Sequence, residues 1–88
     1  MKVFILYHPN SEHDTQVNQY VHEAKRVTGH DLELVSVDTP DGANKARVYD
    51  ATRYPAVLAT QDSGELLQLW QDEMLPTISE VSAYMAYN

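Results

Sequence analysis

Val3-Phe4-Ile5-Leu6-Tyr7 constrains this chain more than any other stretch. Aliphatic and aromatic residues stand in a row, with no polar residue alternating among them. The run is far too short to span a membrane. It reads as a β-strand buried on both faces, which places the chain in the α/β class.

The residues that follow show how such a strand is covered. Val17, Tyr20, Val21, Ala24 and Val27 recur at i, i+3, i+4 and i+7, so they predict an amphipathic helix from about Glu12 to Thr28. Gly29 follows as a helix end requires. Leu32, Leu34, Val35 and Val37 form a second strand. A strand–helix–strand unit is a crossover connection, which makes the two strands parallel. Thr39-Pro40-Asp41-Gly42 is a turn into a second helix, with Ala43, Ala46 and Asp50 on one face and Val48 and Ala51 to either side. Ala56-Val57-Leu58-Ala59 is a third strand. Asp62-Ser63-Gly64 turns it back into a fourth, Leu66 to Trp70, as a β-hairpin. Thr77-Ile78-Ser79-Glu80 has the pattern of a capping box, and Ile78, Val81 and Met85 line the face of a last helix. The expected order is β-α-β-α-β-β-α, with a four-stranded mixed sheet in one domain over residues 1–88.

Composition narrows the function. With 88 residues the chain supports one modest core. Thirteen acidic residues against six basic give a net charge of −7, a field that repels nucleic acid and anionic membrane surfaces. There is no cysteine, hence no disulfide, no thiolate nucleophile and no thiolate metal site. A cytoplasmic setting is expected, since that compartment keeps few disulfides. No secretory signal is expected, because only Lys2 precedes the apolar run and His8-Pro9 ends it.

Three landmarks give the chain a resemblance. The buried strand runs into Tyr7-x-Pro9-Asn10 and then a long helix. Arg53-Tyr54-Pro55 stands just before the third strand. The hairpin with Gly64 leads to Trp70 and a capped final helix. In this order and length the chain resembles the thioredoxin-like superfamily in its minimal glutaredoxin form, over essentially its whole length. The resemblance implies a cis-proline at Pro55 and a ligand cleft built from His8, Pro9, Asn10, Ser11, His13, Asp14, Tyr54, Pro55 and Trp70. Glutaredoxins carry Cys-x-x-Cys where this chain has Ser11-Glu12-His13-Asp14. Thiol–disulfide exchange needs a thiolate attacking a sulfur. Ser11 cannot form the mixed disulfide and Asp14 cannot resolve it, so the activity does not transfer.

Ser11-x-x-Asp14 is close to a capping box itself, with the Ser11 hydroxyl accepting from a first-turn N–H and Asp14 reaching back, each worth roughly 1 kcal/mol. Ser11, His13 and Asp14 have the residue types of a hydrolytic triad, but they lie too close together on one helical turn to assemble one. His8, His13, His22 and His30 offer no helical metal pair, because Asn18 and Arg26 are the i±4 neighbours of His22. Trp70 reads first as packing on the last helix and second as a stacking wall beside the cleft. Tyr54 is larger than the Val or Thr usual in the family, and partly fills the cleft.

The leading reading is therefore a redox-inactive binding module that takes a peptide or small ligand in the ancestral cleft. It needs no cofactor. An alternative is glutathione binding or transferase-like chemistry in which Ser11 holds the glutathione thiolate. Against it stand Leu75-Pro76-Thr77, where glutathione-gripping Glu-Ser would be expected, and the absence of a helical second domain. A further alternative is a structural subunit docking through the edge strand or the tail Tyr84-Met85-Ala86-Tyr87.

Overall fold

The computed structural model describes residues 2–9, 11–71 and 75–85. The elements are β1 (Lys2–Tyr7), α1 (Asp14–Thr28), β2 (Glu33–Ser36), α2 (Pro40–Val48), β3 (Ala56–Thr60), β4 (Leu66–Trp70) and α3 (Ile78–Met85), in the expected order. The sheet runs β2-β1-β3-β4. β1 is parallel to β2 and antiparallel to β3, and β3 is antiparallel to β4. The sheet is therefore mixed and the two long apolar strands take its centre.

Alternation along β1 and β3 divides the core in two. Val3, Ile5, Val57 and Ala59 face α1 and α3, where they meet Val17, Ala24, Val81 and Met85. Phe4, Leu6, Ala56 and Leu58 face α2, where they meet Val35, Ala46 and Ala51. Every residue of β3 is buried. Of the tail, Met85 is buried in the core and the half-buried Tyr84 ring stands edge-on to that of Trp70, while Ala86 and Tyr87 lie outside the described residues.

The helices depart from expectation in instructive ways. α1 ends as the sequence required: Gly29 takes φ 78° and its N–H returns to Lys25 O at 2.8 Å. Val27, on the expected apolar face, is 56% exposed because the core-facing stripe stops at Ala24. α2 buries only part of the expected face, through Ala46. Gly42 and Ala46 are its buried residues, Ala43 is exposed, and Asp50 lies beyond the helix at φ 62°. Thr39 caps α2 by accepting the Gly42 N–H at 3.1 Å, and Pro40 follows as the first helical residue. A Cβ on Gly42 would stand 1.8 Å from Ser36 O, so α2 rests backbone against backbone on the end of β2. The capping box of α3 is realised in both directions: Glu80 N–H donates to Thr77 Oγ1 (3.1 Å) and Thr77 N–H to Glu80 Oε2 (3.2 Å).

Candidate functional site

Strand register determines which loops meet. β1 and β3 pair antiparallel with Leu6 opposite Ala56, so the chain leaving β1 at Tyr7-His8 runs beside Tyr54-Pro55 entering β3. β1 and β2 pair parallel with Tyr7 opposite Ser36, and Val37 N–H donates to Tyr7 O at 3.0 Å. The segment after β2 therefore reaches the same end of the sheet. At this end the structure brings His8, Ser11, His13 and Tyr54 together, with one residue the sequence did not mark, Asp38.

His8 is the hub. Its ring meets the Tyr54 ring at 4.9 Å between centroids and 86°, an edge-to-face contact. Its Nδ1 lies 3.2 Å from Asp38 Oδ1. With the two side chains 44% and 61% exposed, that pair is screened by water and adds little stability. The His8 N–H points to His13 Nε2 at 3.4 Å, and the two imidazoles lie 6.4 Å apart. Tyr54 is half-buried against the α2-side core, with its hydroxyl donating to Ala51 O at 3.1 Å. The Tyr54–Pro55 peptide bond is cis.

The Ser11 reading is corrected. α1 begins at Asp14, its N-cap is His13, and no side chain caps it. The Ser11 hydroxyl instead donates to His8 O at 2.5 Å, and Asp14 N–H donates to Ser11 O at 3.2 Å. Two local turns thus consume the groups that a capping box would need. The Asp14 carboxylate does not reach back; it accepts from Asn18 Nδ2 at 3.0 Å, one helical turn on. The Ser11 hydroxyl meets a carbonyl rather than an imidazole, which also leaves no hydrolytic triad. No group of three or more His, Cys, Asp or Glu among the described residues could hold a metal ion.

Trp70 lies apart from this cluster. It pairs with Val57 across β3–β4, its ring stands 5.4 Å from that of Tyr84, and it packs on the α1–α3 side. Tyr54 packs on the α2 side, so the sheet separates the two aromatic side chains. Pro9 adjoins His8 at the surface and Pro55 is half-buried at the start of β3, while Asn10 lies outside the described residues. Asp38 escaped the sequence reading, though a signal existed: two parallel strands ending in register bring their following loops to one edge.

Thioredoxin 1 from the thermophilic eubacterium Thermosipho africanus superposes with a TM-score of 0.64, over 98% of this chain and 91% of that one, at 14% identity. The fold is thioredoxin-like. A malarial protein gives a TM-score of 0.63 at 13% identity over 96% of this chain and 91% of that one. A designed protein gives 0.60 at 18% identity over 97% and 72%. These likenesses concern architecture. No protein family's sequence pattern matches the chain, and no curated protein does. Among the described residues no helix is long and apolar enough to cross a membrane.

Proposed function

We propose that the chain is a redox-inactive, glutaredoxin-like binding module that receives an extended peptide where β1 ends and β3 begins. The observation that carries this reading is the meeting of the His8 and Tyr54 rings at 4.9 Å on the thioredoxin-like scaffold, in a chain without cysteine. The scaffold keeps two loops together at the end of the sheet, where an extended backbone can lie along Tyr54 and side chains can contact the imidazoles of His8 and His13. Main-chain hydrogen bonds supply affinity in such a mode and neighbouring side chains supply selectivity. A cytoplasmic location goes with this proposal and rests on the absence of cysteine.

The glutathione reading asks Ser11 to give its hydroxyl to a thiolate. That hydroxyl is engaged with His8 O, and a ligand would have to displace it. The assembly reading draws on β4, an edge strand carrying the partly exposed Leu66 and Leu67. A register shift in β4's pairing, between Ala59 and Thr60 of β3, interrupts that edge, and such bulges discourage strand addition.

A random-peptide display library panned against the immobilised protein separates these readings. Enrichment of peptides whose binding falls at least tenfold in His8→Ala and Tyr54→Ala variants supports the proposal. Enriched peptides insensitive to both variants, or no enrichment, overturn it. Glutathione binding by calorimetry, abolished in Ser11→Ala, would favour the alternative.

A further inference from the structure

We propose that Gln71 is a positioning residue for this site, with its side-chain carbonyl fixing the segment that presents Tyr54. The inference deepens the peptide-binding reading and rests on it. The β3–β4 ladder ends at the pair Val57–Trp70. One residue further along, the Gln71 side chain continues the connection. Its Oε1 accepts the Thr52 N–H at 2.9 Å and the Arg53 N–H at 3.4 Å, across 19 and 18 residues of sequence. A carbonyl oxygen has two lone pairs, so one side chain can receive two successive amides.

The geometry gives this contact a purpose. Thr52 and Arg53 are exposed and belong to no helix or strand, so their amides would otherwise face water. The segment is tied to α2 through Ala51 N–H to Ala46 O at 2.8 Å, and closed on itself through Tyr54 Oη to Ala51 O at 3.1 Å. Gln71 adds the tie to the sheet. An extended ligand lying along Tyr54 needs that backbone held still before it arrives, because ordering it on binding would subtract from affinity. Glutamate keeps the acceptor and the reach, whereas alanine removes both.

The test uses the unliganded protein, so its outcome is independent of whether any peptide binds. In wild type, hydrogen exchange at Thr52 should be slower than expected for an unstructured amide; an unprotected Thr52 amide overturns the proposal without any variant. In Gln71→Ala, exchange at Thr52 and Arg53 should quicken roughly five- to tenfold, the size expected for one lost hydrogen bond. The ring-to-ring nuclear Overhauser contact between His8 and Tyr54 should weaken, and Gln71→Glu should restore both signals. Unchanged exchange, uniform quickening across β3 and β4, or failure of Gln71→Glu to restore the contact would overturn it.

Discussion

Gly42→Ala should destabilise this protein, although replacing glycine by alanine within a helix ordinarily stabilises by about 1 kcal/mol. The sign reverses because of one contact. The added Cβ would stand 1.8 Å from Ser36 O and 2.6 Å from the carbonyl carbon, where such contacts need at least 3.0 Å. Both obstacles are backbone, and Ser36 is held in β2 by pairing with Tyr7. α2 must therefore move off the sheet, disturbing the packing of Ala46 against Phe4 and Leu58. Overpacking of this kind costs about 1–3 kcal/mol, and more where nothing can yield. After the helix-propensity gain, a net loss of about 2 kcal/mol is expected. A domain of this size holds about 4–13 kcal/mol in total, so the loss is readily measured. Urea unfolding followed by far-ultraviolet circular dichroism should show a midpoint lowered by roughly 1–2 M. Gly29→Ala is the control: its Cβ would meet nothing within 4 Å, and only its φ of 78° opposes the change, for about 1 kcal/mol. A midpoint for Gly42→Ala equal to or above wild type would refute the close approach of α2 to β2.

Other outcomes follow from particular contacts. Thr77→Ala and Glu80→Ala should each cost about 1 kcal/mol, and the double variant less than their sum, because the two side chains act as one capping box; additive costs in a double-mutant cycle would contradict that. Ser11→Ala should cost about 1 kcal/mol through the lost bond to His8 O, with helix content by circular dichroism unchanged; a fall in helix content would reinstate a helix-capping role. Burial, with a smaller effect of Glu80, raises the Tyr20 phenol above its ordinary value of 10.0. The unfolded chain thus releases that proton first, so the stability tied to Tyr20 is complete below pH 10 and is lost progressively as pH rises above it. Tyr20→Phe should flatten this alkaline decline; an unchanged slope in unfolding measured from pH 9 to 11 would contradict the burial. Purified protein should not reduce insulin disulfides, and turnover above background would overturn the redox-inactive reading.

The sheet and its order were legible because each strand carries its own signal. Val3 to Tyr7 and Ala56 to Ala59 are uninterrupted apolar runs, and both prove to be central strands. The α3 cap was legible because Thr77 and Glu80 act locally, three residues apart. What escaped depended on contacts between distant segments. The buried face of α2 follows from how closely it sits on β2, which only Gly42 permits, and a glycine after Pro40-Asp41 reads equally well as a turn. The start of α1 was not legible, because Ser11 satisfies a cap pattern and a loop-closing pattern alike and only its partner His8 O distinguishes the two. Most of the site's side chains were visible in His8, Ser11, His13 and Tyr54. Asp38 and Gln71 were not, since each enters through strand register across 30 and 18–19 residues of chain.

Whether a peptide is received where β1 ends and β3 begins can be read from amide chemical-shift mapping with a library-selected peptide. The largest shifts are expected on His8, Ser11, His13, Thr52, Arg53 and Tyr54, with intermolecular contacts to the Tyr54 backbone. Shifts concentrated instead on Leu66, Leu67 and Gln68 of β4, with the His8 and Tyr54 signals unmoved, would contradict this placement and assign binding to the sheet edge.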